Sequence, residues 1–176
     1  VRIDPATEVD LEAIDRLVQR AYRGDAARAG WTHEADLLDG QRTDPEMLRE
    51  GLANPRLRRL VARDGAELIG CAEVTSPHDG LAAIGLLTVD PARQGQGLAK
   101  QLLGAAERLA ADEFAARRIE LTVIRQRSEL IAYYERRGYL RTGEERPFPH
   151  HDPRFGVPRR NDLAFVVLGK NLPDAD

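Results

Sequence analysis

The segment that most limits how this chain can fold runs from Leu81 to Leu103. Leu81 to Val89 is apolar on nearly every position, which predicts a strand covered on both faces. Pro91 ends that strand, and Gln94-Gly95-Gln96-Gly97 turns the chain. Leu98, Leu102, Ala105 and Leu109 then recur at helical spacing, which predicts a core-facing helix continued by Phe114. A strand, a glycine turn and a helix start aim several backbone N–H groups at one spot. The first four N–H groups of a helix lack internal partners, and the helix dipole adds partial positive charge there. Gly97 and Ala99 keep the approach free of bulk, so a phosphate or pyrophosphate is the expected guest. No Gly-Lys-Ser/Thr follows, which excludes the P-loop of nucleotide hydrolases. No third glycine stands at the spacing of the dinucleotide fingerprint. The same glycine pair also serves as a plain tight turn that lets strand and helix pack.

The remaining chain bounds the function class. Its 176 residues suit one domain, 1–176, with a sizeable core. The net charge of −3 gives no general basic surface for nucleic acid or an acidic membrane. Cys71 is the single cysteine, so no internal disulfide forms, as expected in a reducing compartment. No run approaches eighteen uninterrupted apolar residues, and no basic start leads into an apolar stretch. A cytoplasmic protein without a membrane partner is expected.

Taken in order, Val1-Arg2-Ile3 reads as a strand. Thr7 to Asp10 is a helix start signal, and Leu11, Ile14, Leu17, Val18 and Ala21 carry a helix to about Tyr22. Arg23 to Gln41 is aperiodic and reads as a loop with some helical turns. Thr43-Asp44-Pro45-Glu46 opens a short helix. Arg59–Ala62 and Ala66–Val74 flank a hairpin at Asp64-Gly65, and Ser76 to Gly80 reads as a turn. After the glycine turn and its helix come a strand through Ile119, Leu121 and Val123 and a helix from near Ser128 to Gly138. Two strands follow, at Tyr139–Thr142 and Leu163–Leu168. Four prolines between Glu144 and Asn161 predict a long ordered loop.

Gln94-x-x-Gly97-x-Ala99, directly after Leu87-Thr88-Val89-Asp90-Pro91, resembles the pyrophosphate-binding signature of the GNAT superfamily of N-acetyltransferases. Leu130-Ile131-Ala132-Tyr133-Tyr134-Glu135-Arg136-Arg137-Gly138-Tyr139 is similar to that family's tyrosine- and glycine-containing segment, with Leu130 where alanine is frequent. The element order also matches the family. The resemblance implies an α/β fold: a mixed, mostly antiparallel sheet with helices on both faces, and a parallel pair, Leu81–Val89 and Arg118–Ile124, that splays apart. It implies acetyl-CoA as co-substrate and no metal. The contacts it implies are Leu87, Thr88 and Val89 on the pantetheine arm and the amides of Gln94, Gly95, Gln96, Gly97, Leu98 and Ala99 on the pyrophosphate. Tyr134 is the implied general acid toward the coenzyme sulfur. Arg127, where the family often has Asn, could reach a phosphate.

The acceptor side is less specified. Trp31 and Phe148, with Phe155, could wall an apolar acceptor, and Glu34 and Asp36 could attract an ammonium. No carboxylate lies in Leu81–Val89, so the general base stays open among Glu73, Glu34, Asp36, His33, the His150-His151-Asp152 cluster and ordered water. Two long loops would close the cleft, which suits transfer of an acetyl group to a primary amine of a small molecule by direct attack. A protein N-terminus or lysine is the competing acceptor, and a catalytically silent acyl-CoA sensor is the competing class. Dimerisation is common in such folds, and nothing in the sequence specifies an interface for a homodimer.

Overall fold

The structure, a computed structural model, describes residues 1–173. β1 (Arg2–Pro5) leads through a short turn of helix into α1 (Leu11–Tyr22), which is followed by α2 (Gly24–Arg28), β2 (Leu38–Asp39) and α3 (Pro45–Ala53). β3 (Leu57–Asp64), β4 (Glu67–His78) and β5 (Leu81–Val89) form a meander. α4 (Leu98–Phe114), β6 (Arg118–Ile124), α5 (Ser128–Glu135), β7 (Leu140–Pro147), β8 (Val157–Pro158) and β9 (Ala164–Asn171) complete the order. One seven-stranded sheet runs β1-β3-β4-β5-β6-β9-β7, and β2 pairs with β8 in a separate ribbon. All neighbours in the large sheet are antiparallel except β5 and β6.

Helices cover both faces because successive strand residues point to opposite sides. Val61 and Cys71 pack with Leu11, Ile14, Leu17 and Val18 of α1 and Leu48 of α3. Their neighbours Ala62 and Ala72 pack with Leu102, Leu103 and Ala106 of α4. α4 lies close on β4 at Gly70, where an added Cβ would stand 2.8 Å from Leu102 Cδ1 and 3.1 Å from the Thr88 carbonyl oxygen. The helix starts are set locally. Asp44 caps α3 by accepting from Met47 N at 2.8 Å, with Pro45 in the first turn.

The centre of the sheet decides where a ligand can enter. β5 and β6 pair only over Leu81–Ala83 and Arg118–Glu120, and beyond that they diverge. β5 also carries one extra residue against β4 between Gly85 and Thr88, a β-bulge that places Leu86 at φ +52°. A left-handed leucine costs about 1–2 kcal/mol. Side chains hold the bulge in place: Thr88 Oγ1 donates to the Leu86 carbonyl at 2.8 Å, and Tyr22 Oη donates to the Leu87 carbonyl at 2.8 Å.

Several boundaries differ from the sequence reading. Ser76–His78 continues β4, and only Asp79-Gly80 turns; Pro77 is tolerated because the β4–β5 register slips between Thr75 and His78. β7 extends to Pro147, past Thr142, because it is an edge strand in which proline removes no obligatory ladder bond. The aperiodic loops also hold more order than spacing predicts. Leu38–Asp39 of the first pairs with Val157–Pro158 of the second. Among the described residues, no helix is long and apolar enough to cross a membrane.

Candidate active site

The divergence of β5 from β6 opens a cleft of about 490 Å³ on the α4 side. Its floor is the glycine turn. Gly95 and Gly97 both adopt φ +78°, and a Cβ on either would meet nothing within 4 Å, so the approach to their amides is open. Gly97 is the N-cap of α4, a helix of 17 residues, so the unpaired N–H groups of its first turn face this end. Leu87, Val89, Gln94, Leu98 and Ala99 also line the cleft. Arg93, Lys100, Arg136 and Arg137 stand around it, and among the described residues no carboxylate lines it. Arg93 is partly neutralised by Asp64 and Glu67, each at 3.1 Å. Such a surface fits a diphosphate, with backbone donors beneath and cations at the rim.

A second cleft of about 320 Å³ lies on the other side of the same gap. The two share Leu87, Leu130 and Tyr134. α5 brings Tyr134 there at its last turn, which closes when Gly138, at φ +85°, lets Tyr139 N donate to the Tyr134 carbonyl at 3.2 Å. The Tyr134 ring packs edge-on against Tyr133 (5.4 Å) and Tyr139 (5.8 Å). The Tyr22 and Tyr139 hydroxyls are committed, to the Leu87 carbonyl and to Glu107; the Tyr134 hydroxyl has no such partner among the described residues. Burial pushes the Tyr134 phenol well above its ordinary range, so it carries its proton at neutral pH.

Phe148, Phe155 and Phe165 give the second cleft an aromatic wall. Its charged side consists of Arg23, Arg42, Arg127 and a single carboxylate, Glu34. Glu34 is 6% exposed and accepts from Arg23 Nη1 and, at 2.9 Å, from Arg127 Nη1. Burial alone would raise its pKa, but Arg127, Arg23 and Arg42 outweigh this and hold the carboxyl below its usual range. The guanidiniums of Arg42 and Arg127 stand 5.4 and 5.6 Å from the centre of one ring, that of Tyr22.

The expected site residues therefore divide. Leu87, Val89, Gln94, Gly95, Gly97, Leu98 and Ala99 gather at the first cleft with Tyr134, but Thr88 and Gln96 do not line it. Thr88 is buried and bonded to Leu86, and Gln96 is exposed. Trp31 corrects the acceptor reading. It lines the first cleft, its ring tilted 50° to that of Tyr133 at 5.6 Å, and its backbone N–H donates to Gln94 Oε1. Arg127 corrects the coenzyme reading. It lines only the second cleft, with its terminal nitrogens on Glu34 and Thr32 Oγ1 (3.0 Å). Glu34 lines the second cleft, but its charge is already answered by two arginines, so it is not a free anion for an ammonium. Asp36 is likewise paired with Arg28. Glu73 lines neither cleft and accepts from Arg59 Nε at 2.8 Å on the α3 side of the sheet. Phe148 does line the second cleft. Cys71 is fully buried and pushed up to about 12, which removes it as a nucleophile. Sequence spacing passed over Tyr22, Arg23 and Arg42, whose roles arise from contacts between distant segments.

A mixed sheet split at its only parallel pair, with the glycine turn of a helix at the mouth of the split, defines an N-acetyltransferase fold. Residues 12–139 match the model of the acetyltransferase (GNAT) family, and the chain belongs to that family. Solved structures similar in fold include the ribosomal-protein-S18-alanine N-acetyltransferase of Escherichia coli (17% identity, 99% of this chain and 96% of that one, TM-score 0.71). The ribosomal-protein-alanine N-acetyltransferase of Brucella melitensis is similar too (19%, 98% and 100%, TM-score 0.71). So is a variant of the spermidine N-acetyltransferase of Vibrio cholerae (16%, 97% and 95%, TM-score 0.67). A search of curated protein sequences returns no significant match.

Proposed function

We propose that this chain transfers an acetyl group from acetyl-CoA to a primary amine of a small molecule, by direct attack. The observation that carries this reading is that two clefts reach Tyr134 from opposite sides of the gap between β5 and β6. Acetyl-CoA supplies an acyl group activated as a thioester. The amides from Gln94 to Ala99, with Lys100, Arg136 and Arg137, hold its diphosphate end, and the stretch of β5 from Leu87 to Val89, beyond its pairing with β6, receives the amides of its arm. Tyr134 keeps a proton for the departing sulfur. As the amine nitrogen bonds the acyl carbon, the carbon–sulfur bond breaks and the sulfur takes the Tyr134 proton, which solvent replaces. The amine's surplus proton leaves to water.

No unpaired carboxylate lines the acceptor cleft among the described residues. Three guanidiniums against one carboxylate disfavour an ammonium there and favour the neutral, nucleophilic amine. The ribbon of β2 and β8 ties the two acceptor loops over this cleft, which suits a small acceptor better than a protein surface. Of the strands outside the family match, β1, β7 and β9 lie in the large sheet and β8 pairs with β2, and we read 1–176 as one catalytic domain working in the cytoplasm.

Release of coenzyme thiol from acetyl-CoA across a panel of primary amines tests the reading. Tyr134→Phe should lower kcat about 10²-fold while leaving coenzyme affinity unchanged. Tight coenzyme binding without turnover of any amine would replace this reading with a silent acyl-CoA sensor.

A further inference from the structure

Charge in the acceptor cleft is one-sided. Glu34 neutralises part of Arg23 and Arg127. Arg42 forms no ion pair among the described residues; its guanidinium lies over the Tyr22 ring and lines the cleft. Arg23 and Arg127 add a second observation. Both are more than nine-tenths buried and line the same cleft; their terminal nitrogens are engaged by Glu34, the Phe155 carbonyl and Thr32 Oγ1, so they add fixed positive charge around Arg42. A planar guanidinium best satisfies its donors with a planar oxyanion. A purely cationic acceptor such as a polyamine would bring positive charge against these three arginines. Phe148, Phe155 and Phe165 line the same cleft, with the Phe148 and Phe165 rings 5.4 Å apart, and their rings offer contact to an apolar body.

We infer that the acceptor is an apolar or aromatic amino carboxylate, its carboxylate held by Arg42 within the positive field of Arg23 and Arg127, its side chain against the phenylalanines and its amine toward Tyr134. This rests on the acyl-transfer reading and names the substrate class of that site.

Matched pairs test it: phenylalanine against phenethylamine, and leucine against isoamylamine, each followed by thiol release at saturating acetyl-CoA. The carboxylate-bearing member should be favoured in kcat/KM by about tenfold or more, the scale of one charged hydrogen bond. Arg42→Gln should bring the ratio close to unity, and Arg42→Lys should keep part of it, because charge remains without the fork. Arg42 is the variant of choice because its removal orphans no buried carboxylate. Equal or better turnover of the decarboxylated amines overturns the inference and leaves acyl transfer standing. Calorimetric titration of phenylalanine into the CoA-loaded protein separates the two failures. Binding that depends on Arg42, with no amine acetylated, supports the anion site and overturns acyl transfer. Acetylation of phenethylamine, with phenylalanine neither bound nor acetylated, does the reverse.

Discussion

Tyr134 and Glu34 are both buried ionisable groups, and their surroundings move them in opposite directions. Burial raises the Tyr134 pKa, so the proton that the proposed mechanism draws on is present at every pH below that raised value and is lost only as pH climbs through it. The pH profile of kcat should therefore show no falling limb from this group below about pH 10, the ordinary phenol value. A limb near neutrality that disappears in Tyr134→Phe would contradict this. For Glu34, burial is outweighed by Arg127, Arg23 and Arg42, and the folded pKa is lowered. The stability it contributes is present above the unfolded value of about 4.3 and is lost as pH falls through the lower, folded value. Glu34→Gln leaves two buried guanidiniums without their shared anion and should cost about 3–5 kcal/mol in urea denaturation. It should also flatten the loss of stability toward acid.

At the level of single elements, the contact of α4 with β4 at Gly70 makes a sharp test. In Gly70→Ala the new methyl must displace Leu102 Cδ1 and also crowds the Thr88 carbonyl, and a cost of about 1–3 kcal/mol is expected in thermal or denaturant unfolding. The strand, glycine turn and helix from Leu81 to Leu103 were legible because proline, glycines and a helical stripe act within a few residues of one another. The same logic misread Ser76–His78, where Pro77 signals a turn locally but a register slip between two long strands absorbs it. The first cleft was readable because backbone N–H groups form it, and their direction follows from the turn. The second was not, because side chains from aperiodic loops form it. Trp31 and Arg127 exchanged sides for that reason, and Arg42 gave no signal, since the Tyr22 ring it covers lies across a loop.

Across the molecule, the proposed acceptor side depends on two loops far apart in sequence, joined by the β2–β8 ribbon and by Arg159, which donates to Asp39 through Nε (2.9 Å) and Nη2 (2.7 Å). Gly156 is the tight point of this junction. It has φ +103°, and a Cβ there would lie 3.0 Å from the Asp39 carbonyl oxygen and 3.1 Å from Arg23 Nη2. Gly156→Ala should raise the KM for the acceptor severalfold and leave coenzyme affinity unchanged, since the glycine turn is on the other side of the sheet's gap. Equal losses for both substrates would show that the loops do not act separately from the coenzyme cleft. The short union of β5 and β6 bears on the whole protein in another way. Two half-sheets meet there over only three residue pairs before the strands part. A guest threaded along the open stretch would stitch the halves together, so that resistance to melting becomes a gauge of how full the seam is.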